Sequence, residues 1–119
     1  ECFETIEKGN IDVIQPDVGR VGGLTEAKRV CDYAEDNGVI IVPHCWKSAI
    51  GIAASAHLSA TSVSCPYIEF LPKQLAESQL RKDLVLNELE VIDGLIPLPE
   101  SPGLGIEINE DKLLEYQTK

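Results

Sequence analysis

The sequence predicts an α/β fold built on parallel strands, and three observations predict it. Runs of β-forming residues alternate with stretches of helical periodicity through the first 70 residues. One run, Val39 to Val42, is continuously apolar between Gly38 and Pro43, the pattern of a strand buried on both faces. A polar, ionisable residue stands at or near the end of each of three runs. These are Asp17, His44 and Glu69, separated by 27 and then 25 positions, about one βα unit each. Strands alternating with helices imply a parallel sheet joined by right-handed crossovers.

The elements follow in order. Residues 1–9 read as the end of a helix, with Gly9 as its C-terminal cap. The chain begins at Glu1 rather than at a methionine, as if inside a structural unit, and a fragment of a longer protein is expected. IDVIQ, residues 11–15, is a short strand, and GRVGG, residues 19–23, a glycine-rich loop making a tight turn. From Leu24 to about Asn37, the apolar positions Leu24, Ala27, Val30, Cys31 and Ala34 recur at helical spacing, and Asn37-Gly38 ends the helix. Residues 39–42 form the second strand, 48–60 a helix of small apolar residues, and YIEF, residues 67–70, a third strand.

Beyond Phe70 the pattern changes. Residues 76–84 suit a short helix, Asp93-Gly94 between apolar runs signals a hairpin, and Asn109 is placed to cap a last helix. The last 35 or so residues look like an appendage that packs on another domain.

Composition narrows the function. Twenty acidic residues face 10 basic ones, a net charge of −10, which argues against nucleic acid as a partner and against an anionic membrane surface. A small anionic substrate stays compatible, because a local site can override the global field. No run approaches the ~20 apolar residues of a membrane span. No basic segment followed by an apolar stretch opens the chain, so no signal peptide is expected. Cys2, Cys31, Cys45 and Cys65 lack zinc-site spacing and read as reduced thiols of a cytoplasmic protein.

In open α/β sheets and (β/α)8 barrels, active sites lie at the carboxyl ends of the strands. Neighbouring parallel strands run ~4.8 Å apart, so Asp17, His44 and Glu69 are expected to converge. A carboxylate beside an imidazole orients it and favours its protonated form, which suits a general base. Trp46 either walls such a site or packs at its rim. His57, within an apolar helix, reads as structural. GRVGG lacks the GxGxxG spacing and the lysine of a phosphate-binding loop.

DVIQPDVGRVGGLTEAKRV, VIIVPHCW, IGIAASAHLSA and the closing DGLIPLPESPGLGIEIN resemble the C-terminal part of mandelate racemase/muconate lactonizing enzyme-type proteins of the enolase superfamily. The resemblance covers essentially the whole chain. It implies a (β/α)8-type, TIM-like barrel with a separate α+β capping domain built from both chain ends. Residues 1–84 would be the last βα units of the barrel, and residues 85–119 a C-terminal segment contributing to the capping domain.

The resemblance also implies chemistry: abstraction of the proton α to a carboxylate, with the enediolate stabilised on Mg2+. His44 matches the base, Asp17 its paired acid on the preceding strand, and Glu69 the residue that hydrogen-bonds the substrate carboxylate as it gains charge. The metal ligands would lie upstream of residue 1; Glu1, Glu4 and Glu7 fall on a helix and are not ligands. The 119 residues alone are therefore expected neither to fold nor to act. The implied protein is a cytoplasmic homo-oligomer of the full-length chain that acts on small sugar acids. Its reaction is dehydration or cycloisomerisation, and Trp46 as a substrate-binding residue resembles the cycloisomerase-like members. Racemisation or epimerisation is the alternative within the family, and a non-catalytic α/β interaction module, for instance flavodoxin-like, the alternative outside it. Muconate lactonisation is disfavoured, because those relatives use lysine bases and lack a histidine at position 44.

Overall fold

A computed structural model describes residues 1–117. Helix α1 (Cys2–Lys8) leads into strand β1 (Val13–Ile14), the short helix α2 (Val18–Val21), helix α3 (Leu24–Asp36), strand β2 (Ile40–Ile41) and helix α4 (Ala49–Ser59). A 3-10 turn (Lys73–Leu75) and helices α5 (Gln79–Asp83) and α6 (Glu110–Glu115) follow. None of these helices is long and apolar enough to cross a membrane.

The strands are parallel, with Val13 opposite Ile40 and Ile14 opposite Ile41. Their pairing continues past the strand ends. The N–H groups of Ile40, Val42 and His44 donate to the carbonyls of Asp12, Ile14 and Pro16 at 2.9, 3.0 and 3.1 Å. Alternate residues therefore face β1, and the last of them is His44.

The sequence predicts Val39 to Val42 to be buried on both faces. Within the described residues, Ile41 is fully buried while Ile40 is 44% exposed, as is its register partner Val13. The strand pair buries one side only, Ile14 and Ile41, against Ala27, Val30, Cys31 and Ala34 of α3 and Ala54 and Leu58 of α4. Burying an aliphatic side chain contributes about 1.5–3 kcal/mol, so this layer is the principal core.

Helix α3 forms where the periodicity places it. Its last turn closes by bonds from Gly38 N–H to Glu35 O and from Val39 N–H to Ala34 O, with Gly38 at φ 69°. Such left-handed closure favours glycine. Helix α4, capped by the Ser48 hydroxyl, which accepts from Gly51 N–H, is apolar all round because two layers cover it. Ala54 and Leu58 face the principal core, while Ala53 and Ala56 pack with Leu89 under Ile68, Ile96, Leu104 and Ile106.

Two further expectations need correction. GRVGG is not a simple loop: Asp17 caps a helical turn, Val18–Val21, that ends at Gly22 with φ 113°. YIEF is not a strand. The chain from 64 to 70 makes two backbone bonds to the β2 region, Ile41 N–H to Ser64 O at 2.9 Å and Glu69 N–H, the one within YIEF, to Pro43 O at 3.2 Å. Between those bonds one chain advances two residues and the other five, so no ladder forms. Pro43 supplies the reason: it stands where a β2 N–H would face this segment, and it has none to donate.

The tail turns at Asp93-Gly94, both at positive φ, with Ile92 and Leu95 exchanging two backbone bonds, as the sequence predicts. It is then joined to the end of α5 by a bridge from Val85 to Ile108. Asn109 caps α6 by accepting from Lys112 N–H.

Candidate active site

Asp17 follows β1 and His44 follows β2, so the extended pairing sets them side by side. Asp17 has two carboxylate oxygens with separate duties. Oδ1 accepts the N–H of Gly19 at 2.8 Å and caps α2. Oδ2 lies 3.1 Å from Nδ1 of His44. An ionised carboxylate only accepts, so Nδ1 carries the hydrogen and donates. In the neutral imidazole that leaves the lone pair on Nε2, which lies 3.7 Å from Oε2 of Glu69.

Glu69 is held from the opposite side. Its Oε2 accepts the backbone N–H of Cys45 at 3.3 Å. The three side chains are partly buried, with Asp17 at 18%, Glu69 at 29% and His44 at 35% exposure, so all remain within reach of a small molecule. Trp46 is exposed and stacks on the imidazole, with ring centroids 5.9 Å apart and planes 23° apart. The structure thus brings together all four residues singled out in the sequence.

Two hollows flank this group. A cleft of about 540 Å3 reaches Gln15, Asp17, Arg20 and His44 but neither Glu69 nor Trp46. A smaller one, about 400 Å3, lies between Trp46, Leu71, Leu75 and Arg81.

Among the described residues, the enolase C-terminal domain-like family model matches residues 1–112. The chain belongs to the enolase C-terminal domain-like family. This is the C-terminal domain of mandelate racemase/muconate lactonizing enzyme-type proteins, a domain of α/β barrel type. The chain is 32% identical to the D-galactarolactone cycloisomerase of Agrobacterium fabrum over 97% of its own length and 32% of that protein's. It is 29% identical to the arabinonate dehydratase of Saccharolobus solfataricus over 100% of its length and 31% of that enzyme's. It superposes on the crystal structure of the 3,6-anhydro-D-galactonate cycloisomerase of Zobellia galactanivorans with a TM-score of 0.86 and 34% identity, covering 99% of this chain and 32% of that one. The enolase-type chain therefore spans about a third of the length of the relatives it matches.

Enolase superfamily members generally bind Mg2+. The described residues of this chain hold no group of three or more His, Cys, Asp or Glu side chains placed around one ion. Glu4 is paired with Lys8 at 2.8 Å, and Glu7 accepts from the Tyr33 hydroxyl at 2.7 Å. These residues do not compose a magnesium site.

His57 is structural in its contacts, with Nε2 3.3 Å from the carbonyl of Leu104. The four thiols are free. Burial pushes the thiol of Cys45, adjacent to His44, up to about 11, which keeps it protonated at neutral pH. Sequence reasoning overlooked Arg20, whose Nε lies 3.5 Å from Oδ2 of Asp17. The i, i+3 spacing would have revealed it had residues 17–21 been read as helical.

Proposed function

We propose that this chain carries the base and its partner carboxylates of an enzyme that abstracts the proton α to the carboxylate of a sugar acid. The resulting enediolate goes on to dehydration or cycloisomerisation. The observation that carries this reading is the imidazole of His44, tied to Asp17 through Nδ1 and left with a free Nε2 facing Glu69. Nε2 of His44 takes the α-proton. Asp17 fixes the tautomer and stabilises the imidazolium that forms. Glu69 hydrogen-bonds the substrate carboxylate as negative charge accumulates there. Trp46 gives the sugar an apolar wall beside the base.

The relatives support the substrate class, since one is a galactarolactone cycloisomerase and another an arabinonate dehydratase. Mg2+, when bound, would stabilise the enediolate as a Lewis acid. Its ligands would come from outside these 119 residues, so the chain on its own is expected to be inactive. In this reading residues 1–84 are the last βα units of the barrel and residues 85–119 serve the capping domain.

The test follows the α-proton. The purified protein, carrying these residues together with the part that supplies the metal ligands, is incubated with Mg2+ and a panel of aldonates, aldarates and their lactones in D2O, and proton NMR follows deuterium uptake at the α-carbon. Exchange or conversion to a keto-deoxy acid or an isomer is expected, and His44→Asn is expected to abolish it. Uptake with epimerisation as the sole product would favour a racemase. Exchange that survives His44→Asn would overturn the assignment of the base.

A further inference from the structure

Arg81, on α5, is 1% exposed and the largest fully buried side chain among the described residues. Burying a guanidinium is costly unless it is paired. Its partner is Glu88, held by both terminal nitrogens, Nη1 to Oε2 at 2.8 Å and Nη2 to Oε1. Nη2 also donates to the main-chain carbonyl of Leu71 at 3.1 Å. Nε is buried without a partner among the described residues, so the group is not placed where its own hydrogen bonding is best met.

Leu71 lies two residues beyond Glu69, directly after the segment, residues 67–70, that the sequence predicts as a strand and the structure leaves without a ladder. That segment needs other anchors. On the β2 side these are Glu69 N–H to Pro43 O and Cys45 N–H to Glu69 Oε2, at 3.2 and 3.3 Å. On the far side the Arg81 guanidinium grips Leu71 O and is itself fixed by Glu88, which belongs to the tail. Glu69 is thus held between β2 and a buried ion pair.

We propose that Arg81, braced by Glu88, is a positioning residue for Glu69: it sets the carboxylate at its distance from His44 in place of the missing sheet pairing. The inference rests on the reading of Glu69 as the group that bonds the substrate carboxylate. A displacement of about 1 Å in a reacting group can cost up to a hundredfold in rate.

Removing one partner alone would leave a buried charge and risk unfolding. The test therefore uses the apolar pair Arg81→Met with Glu88→Leu, which keeps the volume filled, beside Arg81→Lys. Each is made in the native protein and in Glu69→Gln. With positioning, kcat for α-proton exchange falls about tenfold to a hundredfold in the native background, KM changes less, and no further loss appears in Glu69→Gln. Equal losses in both backgrounds would mean a structural role only and overturn the proposal.

A second readout needs no turnover: the 15N resonance of His44 Nε2, assigned with His44→Asn, reports the carboxylate beside it. Both sets of variants are expected to shift that resonance in the native background and not in Glu69→Gln. An unmoved resonance would overturn the positioning role. A shifted resonance in a protein that exchanges no α-proton would keep it while refuting the proposed reaction.

Discussion

Asp17 and His44 share a hydrogen bond of 3.1 Å between Oδ2 and Nδ1, while the other oxygen of the same carboxylate caps α2 through Gly19 N–H at 2.8 Å. One side chain thus serves fold and site through different atoms, and substitutions can separate the two. Asn is as good an N-cap as Asp, so Asp17→Asn is expected to leave the unfolding midpoint almost unchanged. Its amide does not stabilise an imidazolium, and kcat is expected to fall by about 10²–10⁴. Asp17→Ala loses both functions and costs about 1 kcal/mol of stability besides. Chemical unfolding beside steady-state kinetics checks the pair.

Trp46 is 58% exposed and touches the site through its stack on His44. Trp46→Ala is expected to change stability by no more than about 0.5 kcal/mol. Its effect should appear in KM for the sugar acid, raised several-fold, with a smaller change in kcat. A large drop in Tm with KM unaltered would assign Trp46 to packing.

The buried thiols give the fold an alkaline limit. Burial pushes Cys31 and Cys45 from 9.0 up to about 11 in the folded state. A raised folded-state value means that the native protein keeps protons the unfolded chain has already released. This contribution is fully present below about pH 9 and is lost as pH rises through about 11. Urea midpoints are expected to fall across that window, and Cys31→Ala is expected to flatten the decline. Alkylation at pH 8 should modify the half-buried Cys2 well before Cys31 or Cys45.

Gly105 and Gly38 share a φ of about 70°, yet their surroundings differ. A Cβ on Gly105 would lie 2.0 Å from Cγ of Pro99, whereas one on Gly38 would meet nothing within 4 Å. Gly38→Ala is expected to cost about 1 kcal/mol for the left-handed backbone alone. Gly105→Ala adds a collision with a rigid ring and is expected to cost about 2–4 kcal/mol. Thermal unfolding of the two variants checks the order.

The sequence makes legible what local chemistry decides. Helix α3 follows from Ala27, Val30, Cys31 and Ala34 with Asn37-Gly38 behind them, and the tail turn from Asp93-Gly94. The meeting of Asp17, His44 and Glu69 follows from the βα spacing. Three things were hidden. Helix α2 is one turn long among three glycines, and it exists because Asp17 caps it and α3 supports it. The segment at Glu69 has a strand's composition, but Pro43 withdraws the donor that a ladder requires. Arg81 finds its partners at Leu71 and Glu88, where the sequence marks no pairing.

The alternation along β2 has a consequence for how such chains can change over generations. The backbone N–H groups of residues 40, 42 and 44 point to β1, while the N–H of Ile41 and the carbonyl of Pro43 point to the 64–69 segment, and the side chains of the two sets leave the sheet on opposite faces. A single-residue deletion or insertion between Gly38 and His44 would exchange odd for even. It would carry the imidazole from Asp17's side to the other and put an isoleucine from the core into the open. Lineages can therefore alter side chains here freely compared with length. Descendants of this sequence should differ in spelling along that stretch, but not in letter count.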